Sequence, residues 1–368
     1  MTTPPSIPAV YMRGGTSKGV FLHARDLPQP GAERDRLLLG IMGSPDPMQI
    51  DGMGGTYSST SKVVVVEPGP GGAIRYWFAQ VGVDRAIVDW SGNCGNLTTA
   101  VAPFAIDEGL VPALGPLTRV RLVNGNTGVE IEADVETLDG RAMTSGRLAI
   151  AGVPGTGSPV VTRYLDPSGG VLGRLLPTGN AVDRLPSSDG GAVRASIVDA
   201  AHPYVFVGAD AVGIDGSRTV AELDADGALL DRVERIRAAA SVLVGAAADA
   251  DDATRSAPAT PRIILVSAGD DGADVTATAF SMGRVHRALP MTGALCLAAA
   301  ATIPGTVVDE VAAVRPMHRD GRIRIRHPQG VTEVVVEQRH GSDPIRSLGV
   351  IRTARRLMEG RVYPREGN

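Results

Sequence analysis

The chain of 368 residues contains little cysteine and few aromatic residues. Its two cysteines are far apart in the sequence, which argues against a disulfide framework and indicates a reducing compartment. Aromatic residues make up only 4% of the chain, so Val, Ile, Leu and Ala must fill most of the core. A chain of this length is long for a single core and is typical of two domains.

An excess of charge of one sign and long apolar runs are also missing. The net charge is -4 at pH 7, so no basic surface for nucleic acid or acidic membranes is predicted. No apolar run is long enough to span a bilayer, and residues 1–10 contain no apolar segment typical of a secretory signal. We therefore expect a cytoplasmic protein. His, Cys, Asp and Glu do not occur at metal-ligand spacings, so no metal site is predicted.

Short segments rich in Val and Ile, bounded by Gly, Pro, Asp or Asn, predict that strands dominate the fold. Helical spacing of apolar residues is found in five segments, namely Ala32–Met42, Cys94–Glu108, Arg218–Asp226, Leu229–Ala248 and Gly293–Thr302. Ala248–Pro261 is predicted to be a loop, and Gly146–Ala151 and Thr306–Val308 are predicted to be short strands. Ser347–Arg361 is predicted to be a strand followed by a short basic helix.

The two halves of the sequence have the same outline. Each half runs through strands to a loop of small residues that leads into an alanine-rich helix, Gly92–Ile106 in the first and Met291–Thr302 in the second. This pattern predicts two pseudo-symmetric domains with a cleft between them. The polar segment Pro177–Gly191 is the best candidate junction. We expect one domain over 1–183, with the tail 344–368 packed on it, and a second over 184–343.

The loop from Ser91 to Asn96 places Cys94 directly before an alanine-rich helix. The unpaired N–H groups at the start of a helix, and the positive end of its dipole, favour an anion there and activate a thiol. Cys94 is therefore a candidate proton donor, proton acceptor or nucleophile. The alternative is a small buried hydrophobic residue, which is the commonest fate of a free cysteine. That interpretation fits Cys296, which lies in an apolar helix.

Two further loops in the first half carry candidate groups. The turn Met12–Gly19 offers a guanidinium, hydroxyls and free backbone, which suits a carboxylate or a phosphate, although a solvated hairpin explains it equally well. The glycine- and hydroxyl-rich stretch Gly52–Lys62 ends with a lysine at the start of an apolar strand. A partly desolvated lysine can act as a base, but a lysine at a strand edge also limits aggregation.

The second half offers a comparable group of residues. His286, with a neighbouring arginine, is a candidate carboxylate clamp, and Thr292 and Gly293 lie at the start of a second helix. His202, in a turn, is expected to be a hydrogen-bonded structural residue.

Taken together and in this order, these motifs resemble the PrpF family of methylaconitate isomerases, which also includes methylitaconate delta-isomerase and 4-oxalomesaconate tautomerase. The resemblance covers essentially the whole chain and rests on four motifs, Arg13–Gly19, Gly54–Lys62, Gly92–Asn96 and Pro290–Gly293. It implies an α+β fold of two diaminopimelate epimerase-like domains. Each domain is expected to be a curled, mostly antiparallel sheet around a central helix.

The resemblance also implies a cofactor-independent isomerase that moves a proton along an allylic system of a small unsaturated di- or tricarboxylic acid. Lys62 and Cys94 are implied to be the acid–base pair, in either assignment of roles. The implied substrate-binding residues are Arg13, Thr16, Ser17, Gly54, Thr60, Gly92, Asn93, Gly95, Asn96, His286, Met291, Thr292 and Gly293. A homodimer is the expected assembly, because cyclic dimers are the commonest oligomers.

Three other functions are compatible with parts of this pattern. An amino-acid or hydroxyproline racemase would need a second cysteine or an equivalent base near Pro290 or Met291, where this chain has none. A thiol hydrolase or transferase would need a histidine paired with Cys94 and would accumulate a covalent acyl intermediate. A carboxylate-binding protein without catalysis would bind such acids and leave their allylic protons unexchanged.

Overall fold

The computed structural model describes residues 6–90, 93–186, 190–214, 218–270, 272–281, 283–286, 289–312, 321–341 and 344–365. The chain divides into two compact units. Unit 1 comprises Met1–Arg163 and Ile351–Asn368, and unit 2 comprises Tyr164–Val350. The domain boundaries expected from the sequence, 1–183 with 344–368 and 184–343, stay a prediction.

Strands make up most of the regular structure in both units. The strands of the first part of the chain are β1 (Ile7–Gly14), β2 (Ser17–His23), β3 (Lys62–Pro68), β4 (Ile74–Val81), β5 (Val88–Asp89), β6 (Leu117–Asn124), β7 (Glu130–Leu138), β8 (Arg141–Ala142) and β9 (Pro159–Leu165). Those that follow are β10 (Asp183–Pro186), β11 (Ala192–Ala200), β12 (His202–Gly208), β13 (Arg262–Ala268), β14 (Val275–Ser281), β15 (Arg284–Val285), β16 (Arg322–His327), β17 (Gly330–Gln338) and β18 (Ile345–Val362).

The helices lie between these strands. They are α1 (Ala32–Met42), α2 (Gly95–Asp107), α3 (Val220–Asp224), α4 (Gly227–Leu243), α5 (Ala250–Ser256), α6 (Met291–Ala300) and α7 (Val307–Ala312). None of the helices in the described part of the chain is long and apolar enough to cross a membrane.

The two units repeat one strand pattern. In unit 1, the antiparallel pairs β1–β2, β3–β4 and β6–β7 are joined by the parallel pairs β2–β3 and β4–β6. In unit 2, the antiparallel pairs β11–β12, β13–β14 and β16–β17 are joined by the parallel pairs β12–β13 and β14–β16. This correspondence confirms the predicted pseudo-symmetry of the two halves.

One apolar helix is buried in each unit. In unit 1, α2 is buried from Leu97 to Ile106 and contacts β1, β2, β6 and β7. In unit 2, α6 is buried along almost its whole length and contacts β11, β12 and β17. The small alanine side chains of both helices let the surrounding strands approach closely, which is why a sheet can curl around each one. The predicted α+β class, with mostly antiparallel sheets around central helices, is confirmed.

Four predictions of local structure are wrong. Ser347–Arg361 contains no helix, because this segment lies within strand β18, which pairs with β1 and with β17. Thr306–Val308 is not a strand but the start of α7, where the Thr306 hydroxyl accepts a hydrogen bond from the Asp309 N–H at 3.0 Å. Gly146–Ala151 forms only an isolated bridge, and Ala248–Pro261 contains helix α5.

A buried carboxylate in unit 2 holds one loop. Asp199 is 0% exposed, and its Oδ2 accepts hydrogen bonds from the N–H groups of Val171 and Leu172 at 2.8 and 2.5 Å. Its Oδ1 has no hydrogen-bond partner within the described residues. Burial raises the pKa of the Asp199 carboxyl group above its ordinary value. A buried charge with an unpaired oxygen destabilises the folded state, because its lost hydration is incompletely replaced.

The substitution Asp199→Asn should therefore stabilise the protein at neutral and alkaline pH. Because its pKa is raised, the Asp199 carboxyl group binds its proton more tightly in the folded state than in the unfolded state. The protonated acid therefore stabilises the fold fully at a pH below the unfolded pKa, and this stabilisation is lost as the pH rises through the folded pKa. An amide does not ionise and therefore keeps its stability at high pH. We expect the free energy of unfolding of Asp199→Asn to exceed that of wild type by about 1 kcal/mol at pH 8. Urea denaturation from pH 4 to 8 measures the effect.

Asp183→Asn provides the matched control. Both oxygens of Asp183 accept hydrogen bonds, from Thr178 at 2.7 Å and from Asn180 at 2.8 Å. An amide at this position can still accept from Asn180 and can donate to the Thr178 hydroxyl, so the control variant should gain no stability. Equal or lower stability of Asp199→Asn at pH 8 would contradict the interpretation of Asp199.

Candidate active site

Cys94 lies at the N-cap of the buried helix α2. Its backbone is extended, with φ -116° and ψ 94°, and its side chain makes no capping hydrogen bond. The Cys94 carbonyl accepts hydrogen bonds from the Thr98 N–H at 2.9 Å and the Thr98 hydroxyl at 3.1 Å. The N–H groups of Gly95 and Asn96 belong to the first turn of α2. N–H groups at this position have no hydrogen-bond acceptor within the helix. A half-buried thiol therefore lies beside backbone donors and the positive end of a helix dipole.

A buried hydrogen-bond network fixes the residue before Cys94. The Asn93 side-chain oxygen accepts a hydrogen bond from the Tyr76 hydroxyl at 3.3 Å and lies 3.1 Å from the Thr98 hydroxyl, whose single proton it shares with the Cys94 carbonyl. The hydroxyls of Tyr76 and Thr98 lie 2.9 Å apart. Burial raises the pKa of Tyr76 to about 12, so its phenol stays neutral and can donate. Because the Asn93 oxygen is occupied by these donors, its amide N–H₂ remains as the end that can donate to a ligand.

Three glycines bring the β1–β2 hairpin against this helix start. A Cβ atom at Gly14 would overlap the backbone oxygen of Asn96, and a Cβ atom at Gly15 would overlap the Asn96 side chain. At Gly19 a Cβ atom would lie 2.5 Å from the Lys62 carbonyl oxygen and 3.1 Å from the Leu97 side chain. Gly19 is therefore the point at which the strand of Lys62 and the first turn of α2 meet.

Lys62 begins strand β3 and is only 8% exposed. Its Nζ donates a hydrogen bond to Gln80 Oε1 at 2.5 Å and lies 4.9 Å from the centre of the Phe78 ring. Both partners lie on β4, in which Gln80 is the direct cross-strand neighbour of Lys62. Within the described residues, this amino group has no carboxylate partner and no other hydrogen-bond acceptor.

The segment that leads into Lys62 is held by its own polar groups. Thr60 donates a hydrogen bond to the Gly55 carbonyl at 2.6 Å, and Thr56 in the same turn has a φ of 65°. Gly54 packs on the buried amide of Gln49, where a Cβ atom would overlap the Gln49 side chain. Gly54 and Thr60 therefore shape this segment through backbone and side-chain contacts, and their contact with a substrate stays a prediction.

The turn of the β1–β2 hairpin contains the other predicted residues of unit 1. Arg13 Nη1 donates hydrogen bonds to the carbonyls of Gly15 at 3.0 Å and Thr353 at 2.8 Å, so part of its guanidinium closes the turn. Burial, together with Arg355, lowers the pKa of Arg13. The exposed Thr16 hydroxyl accepts a hydrogen bond from the Asn96 amide at 3.0 Å, and Ser17 is buried. Gly92 lies outside the described residues.

The candidate residues of unit 2 surround the start of α6. Met291 is its first residue and is buried, and the Thr292 hydroxyl lies 3.1 Å from the Tyr204 hydroxyl. Gly293 packs against the Tyr204 ring, because a Cβ atom there would lie 3.2 Å from it. His286 is exposed, and its backbone N–H donates to the Ala279 carbonyl at 2.8 Å.

Two residues of unit 2 have the structural roles that the sequence predicts. The Cys296 thiol is fully buried and donates to the Val198 carbonyl at 3.2 Å, and burial raises its pKa. The His202 ring lies 2.9 Å from the Ala259 carbonyl, and burial lowers the pKa of His202 to about 4, so the ring is neutral at pH 7. No group of three or more His, Cys, Asp or Glu side chains that could hold a metal ion is present within the described residues.

Known protein families provide the assignment of the whole chain. Residues 5–365 match the family model described as PrpF protein. The chain belongs to the PrpF family. It is 42% identical to the 3-methylitaconate isomerase of Eubacterium barkeri, with 97% of each chain covered. It is 41% identical to the (4E)-oxalomesaconate Delta-isomerase of Novosphingobium sp. (strain KA1), again with 97% of each covered. This PrpF protein is an isomerase.

Solved structures agree with this assignment. A crystal structure of methylitaconate-delta-isomerase superimposes with a TM-score of 0.89 and 40% identity, and covers 99% of this chain and 96% of that one. A hydroxyproline epimerase from Agrobacterium vitis has a TM-score of 0.55 at 13% identity, with 97% of this chain and 92% of that chain covered. The second likeness concerns the fold alone, and it confirms the predicted epimerase-like architecture.

Gln80 and Tyr76, which hold Lys62 and Asn93, were not predicted from the sequence. Both lie in β4, where they are separated from their partners by 18 and 17 positions in the sequence. The sequence pattern that points to them is the period of two in strand β4, which places residues 76, 78 and 80 on one face of the strand. The pairing of β3 with β4 was needed to see which residues they contact.

The close contact at Gly14 can be tested by Gly14→Ala. The added methyl group has to displace the backbone of Asn96, so we expect a loss of stability of about 1–3 kcal/mol and a fall in isomerase activity. Urea denaturation and a turnover assay measure the two effects. Gly360→Ala is the control, because a Cβ atom there meets only the Met358 side chain at 3.8 Å. Unchanged stability of Gly14→Ala would show that the hairpin and the helix are not in close contact.

Proposed function

We propose that this PrpF protein moves a proton along the allylic system of a small unsaturated di- or tricarboxylic acid, with Cys94 and Lys62 as its acid–base pair. The proposal is carried by one arrangement in unit 1. A thiol at the start of α2 and a buried amino group on β3 belong to two elements that both pack on Gly19. The names of the relatives support the class of substrate, since they act on methylitaconate and on (4E)-oxalomesaconate.

The substrate binds through its carboxylates. The N–H groups in the first turn of α2 and the amide of Asn93 are donors for one carboxylate, and the Thr16 hydroxyl lies next to them. Three of the proposed contacts in unit 2, Met291, Thr292 and Gly293, belong to the first turn of α6. Backbone donors aimed at a carboxylate also stabilise the dienolate that forms when a neighbouring C–H bond is broken.

The roles of the two groups follow from their surroundings. Lys62 donates a hydrogen bond to the Gln80 carbonyl and lies over the Phe78 ring, both of which are contacts of a proton-bearing group. The Cys94 side chain makes no capping hydrogen bond and lies beside the backbone N–H groups at the start of α2. We therefore assign proton abstraction to the Cys94 thiolate and proton donation to the Lys62 ammonium. In the reverse reaction the two roles are exchanged.

The reaction then proceeds in two steps. The thiolate takes a proton from the carbon next to the double bond, so that an S–H bond forms, a C–H bond breaks and the electron pair spreads over the dienolate. The ammonium gives a proton to the other end of the allylic unit, so that a C–H bond forms and the double bond has moved. Solvent returns the proton from the thiol to the amine. Rotation of the intermediate before the second step gives cis–trans isomerisation instead.

A racemase with two thiols is not proposed. Helix α6 of unit 2 begins with Met291 after Pro290, and the remaining cysteine, Cys296, is fully buried in the helix. A cytoplasmic location and a homodimer stay predictions from the sequence.

Proton NMR in D₂O tests the proposed reaction. The substrates are 4-oxalomesaconate, 2-methylaconitate, methylitaconate and trans-aconitate, each with wild type, Cys94→Ser, Lys62→Ala and the control Cys296→Ala. With one or more of these acids, we expect a shifted double bond and deuterium at one allylic carbon. Each site variant should lose activity by about 10²–10⁴-fold, because each removes one proton-transfer group. The control should remain active.

Three outcomes would contradict the proposal. Absence of exchange with every acid would exclude this substrate class. Undiminished exchange in both site variants would exclude Cys94 and Lys62 as the acid–base pair. Full retention of the abstracted proton in the product would show that one group shuttles the proton, since separate donor and acceptor groups introduce deuterium from the solvent.

A further inference from the structure

The amino group of Lys62 is buried against an uncharged acceptor. Lys62 Nζ donates to Gln80 Oε1 at 2.5 Å, and the two residues are directly opposite each other in the antiparallel pair β3–β4. Buried lysines are usually paired with a carboxylate, because an unpaired buried charge is costly. An amide carbonyl is the weaker partner, so it orients the ammonium without holding its proton in an ion pair.

The orientation of the Gln80 amide is fixed by its other end. Gln80 Nε2 donates hydrogen bonds to the Ser61 carbonyl at 2.9 Å and to the Ser58 carbonyl at 3.1 Å. An amide has one donor end and one acceptor end, so these two carbonyls require the oxygen to face Lys62. A reversed amide would place its oxygen against two carbonyls and its NH₂ group against an ammonium.

The Phe78 ring restricts the same amino group from a second direction. Phe78 and Gln80 are two residues apart in β4 and therefore lie on one face of the strand. The Nζ of Lys62 lies 4.9 Å from the ring centre, which is within the range of a cation–π contact. The flexible lysine side chain is thus held by one hydrogen bond and one ring, and among the residues that the structure describes no other acceptor takes its remaining ammonium protons.

We propose that Gln80 is a positioning residue that holds the Lys62 ammonium as a proton donor through a neutral hydrogen bond. This inference rests on the proposed function, in which Lys62 gives its proton to the allylic carbon. Gln80 touches neither the substrate nor the reacting carbon in this role. It also ties Lys62 to the loop of Ser58 and Ser61 that precedes it, so a change at Gln80 affects the placement of Nζ.

Gln80→Met and Gln80→Glu test the role of Gln80. The methionine variant keeps most of the side-chain volume and removes the acceptor, so we expect kcat to fall by about 10–100-fold with little change in KM. The glutamate variant keeps the size of the side chain and converts the neutral acceptor into a carboxylate that pairs with the ammonium, and it gives up the two hydrogen bonds to Ser58 and Ser61. We expect kcat to fall and the alkaline limb of the kcat–pH profile to move to higher pH. Gln338→Glu, an exposed change of the same charge on β17, is the control.

Measurement of the Lys62→Ala variant separates this inference from the proposed function. If Lys62→Ala is fully active, the proposed acid–base pair is wrong and Gln80 has no lysine to position. If Lys62→Ala is inactive while both Gln80 variants keep the kcat and pH profile of wild type, only the inference about Gln80 is wrong. Movement of the acidic limb in Gln80→Glu would identify Lys62 as the base and would overturn its role as donor.

Folding is monitored by circular dichroism and thermal unfolding. Both variants lose the hydrogen bonds to Ser58 and Ser61, and if only one of them folds, that variant is compared with wild type. Failure of both variants to fold, with Lys62→Ala folded, would show that Gln80 serves the fold through Ser58 and Ser61, and would overturn the inference.

Discussion

The close approach of the β1–β2 hairpin to the start of α2 is the constraint on which the candidate site depends. At Gly14, Gly15 and Gly19 there is no room for a side chain, because backbone and side-chain atoms of Asn96, Leu97 and Lys62 occupy that space. Because these positions carry no Cβ atom, the β1–β2 hairpin can pack in direct contact with the start of α2 and the start of β3. The proposed donor and acceptor groups are attached to two of these elements. Backbone packing therefore sets the separation of the two elements, and the contacts of Lys62 with Gln80 and Phe78 fix the position of its amino group.

The charges around α2 are distributed unequally along the helix. At its C-terminal end, Glu108 accepts from Arg356 at 2.8 Å and lies 3.0 Å from the His23 ring nitrogen. Burial raises the pKa of Glu108, but the hydrogen bonds with His23 and Arg356 outweigh it, so that the pKa lies below its ordinary value. The first turn at the other end contains no acidic side chain, and the thiol of Cys94 makes no capping bond. The positive end of the dipole is therefore not compensated by an acidic side chain of the first turn, whereas the acidic residues at the other end are paired within the protein.

The local sequence was sufficient to predict the first two helices, and α2 is one of the elements of the proposed site. Helix α1 has the predicted bounds, and α2 differs from its prediction by one residue at each end, because small residues, apolar spacing and a glycine stop are all local signals. The helix predicted within Ser347–Arg361 is wrong because its local signals are overridden. The residues of β18 contain many arginines and good helix formers, but pairing with β1 and β17 places them in a strand. Long-range pairing overrides local propensity, and it also determines which residues contact Lys62 and Asn93.

The two units share one topology, yet the proposed acid–base groups both belong to unit 1. A mechanism with one thiol from each unit would depend on how the units are placed for every proton transfer. Here β3 and α2 carry the lysine and the cysteine within one unit, and Gly19 contacts both elements. The corresponding helix of unit 2 begins with Pro290 and Met291, which supply no titrating side chain. In this arrangement the distance between the two elements that carry the proposed proton-transfer groups is set within unit 1 alone.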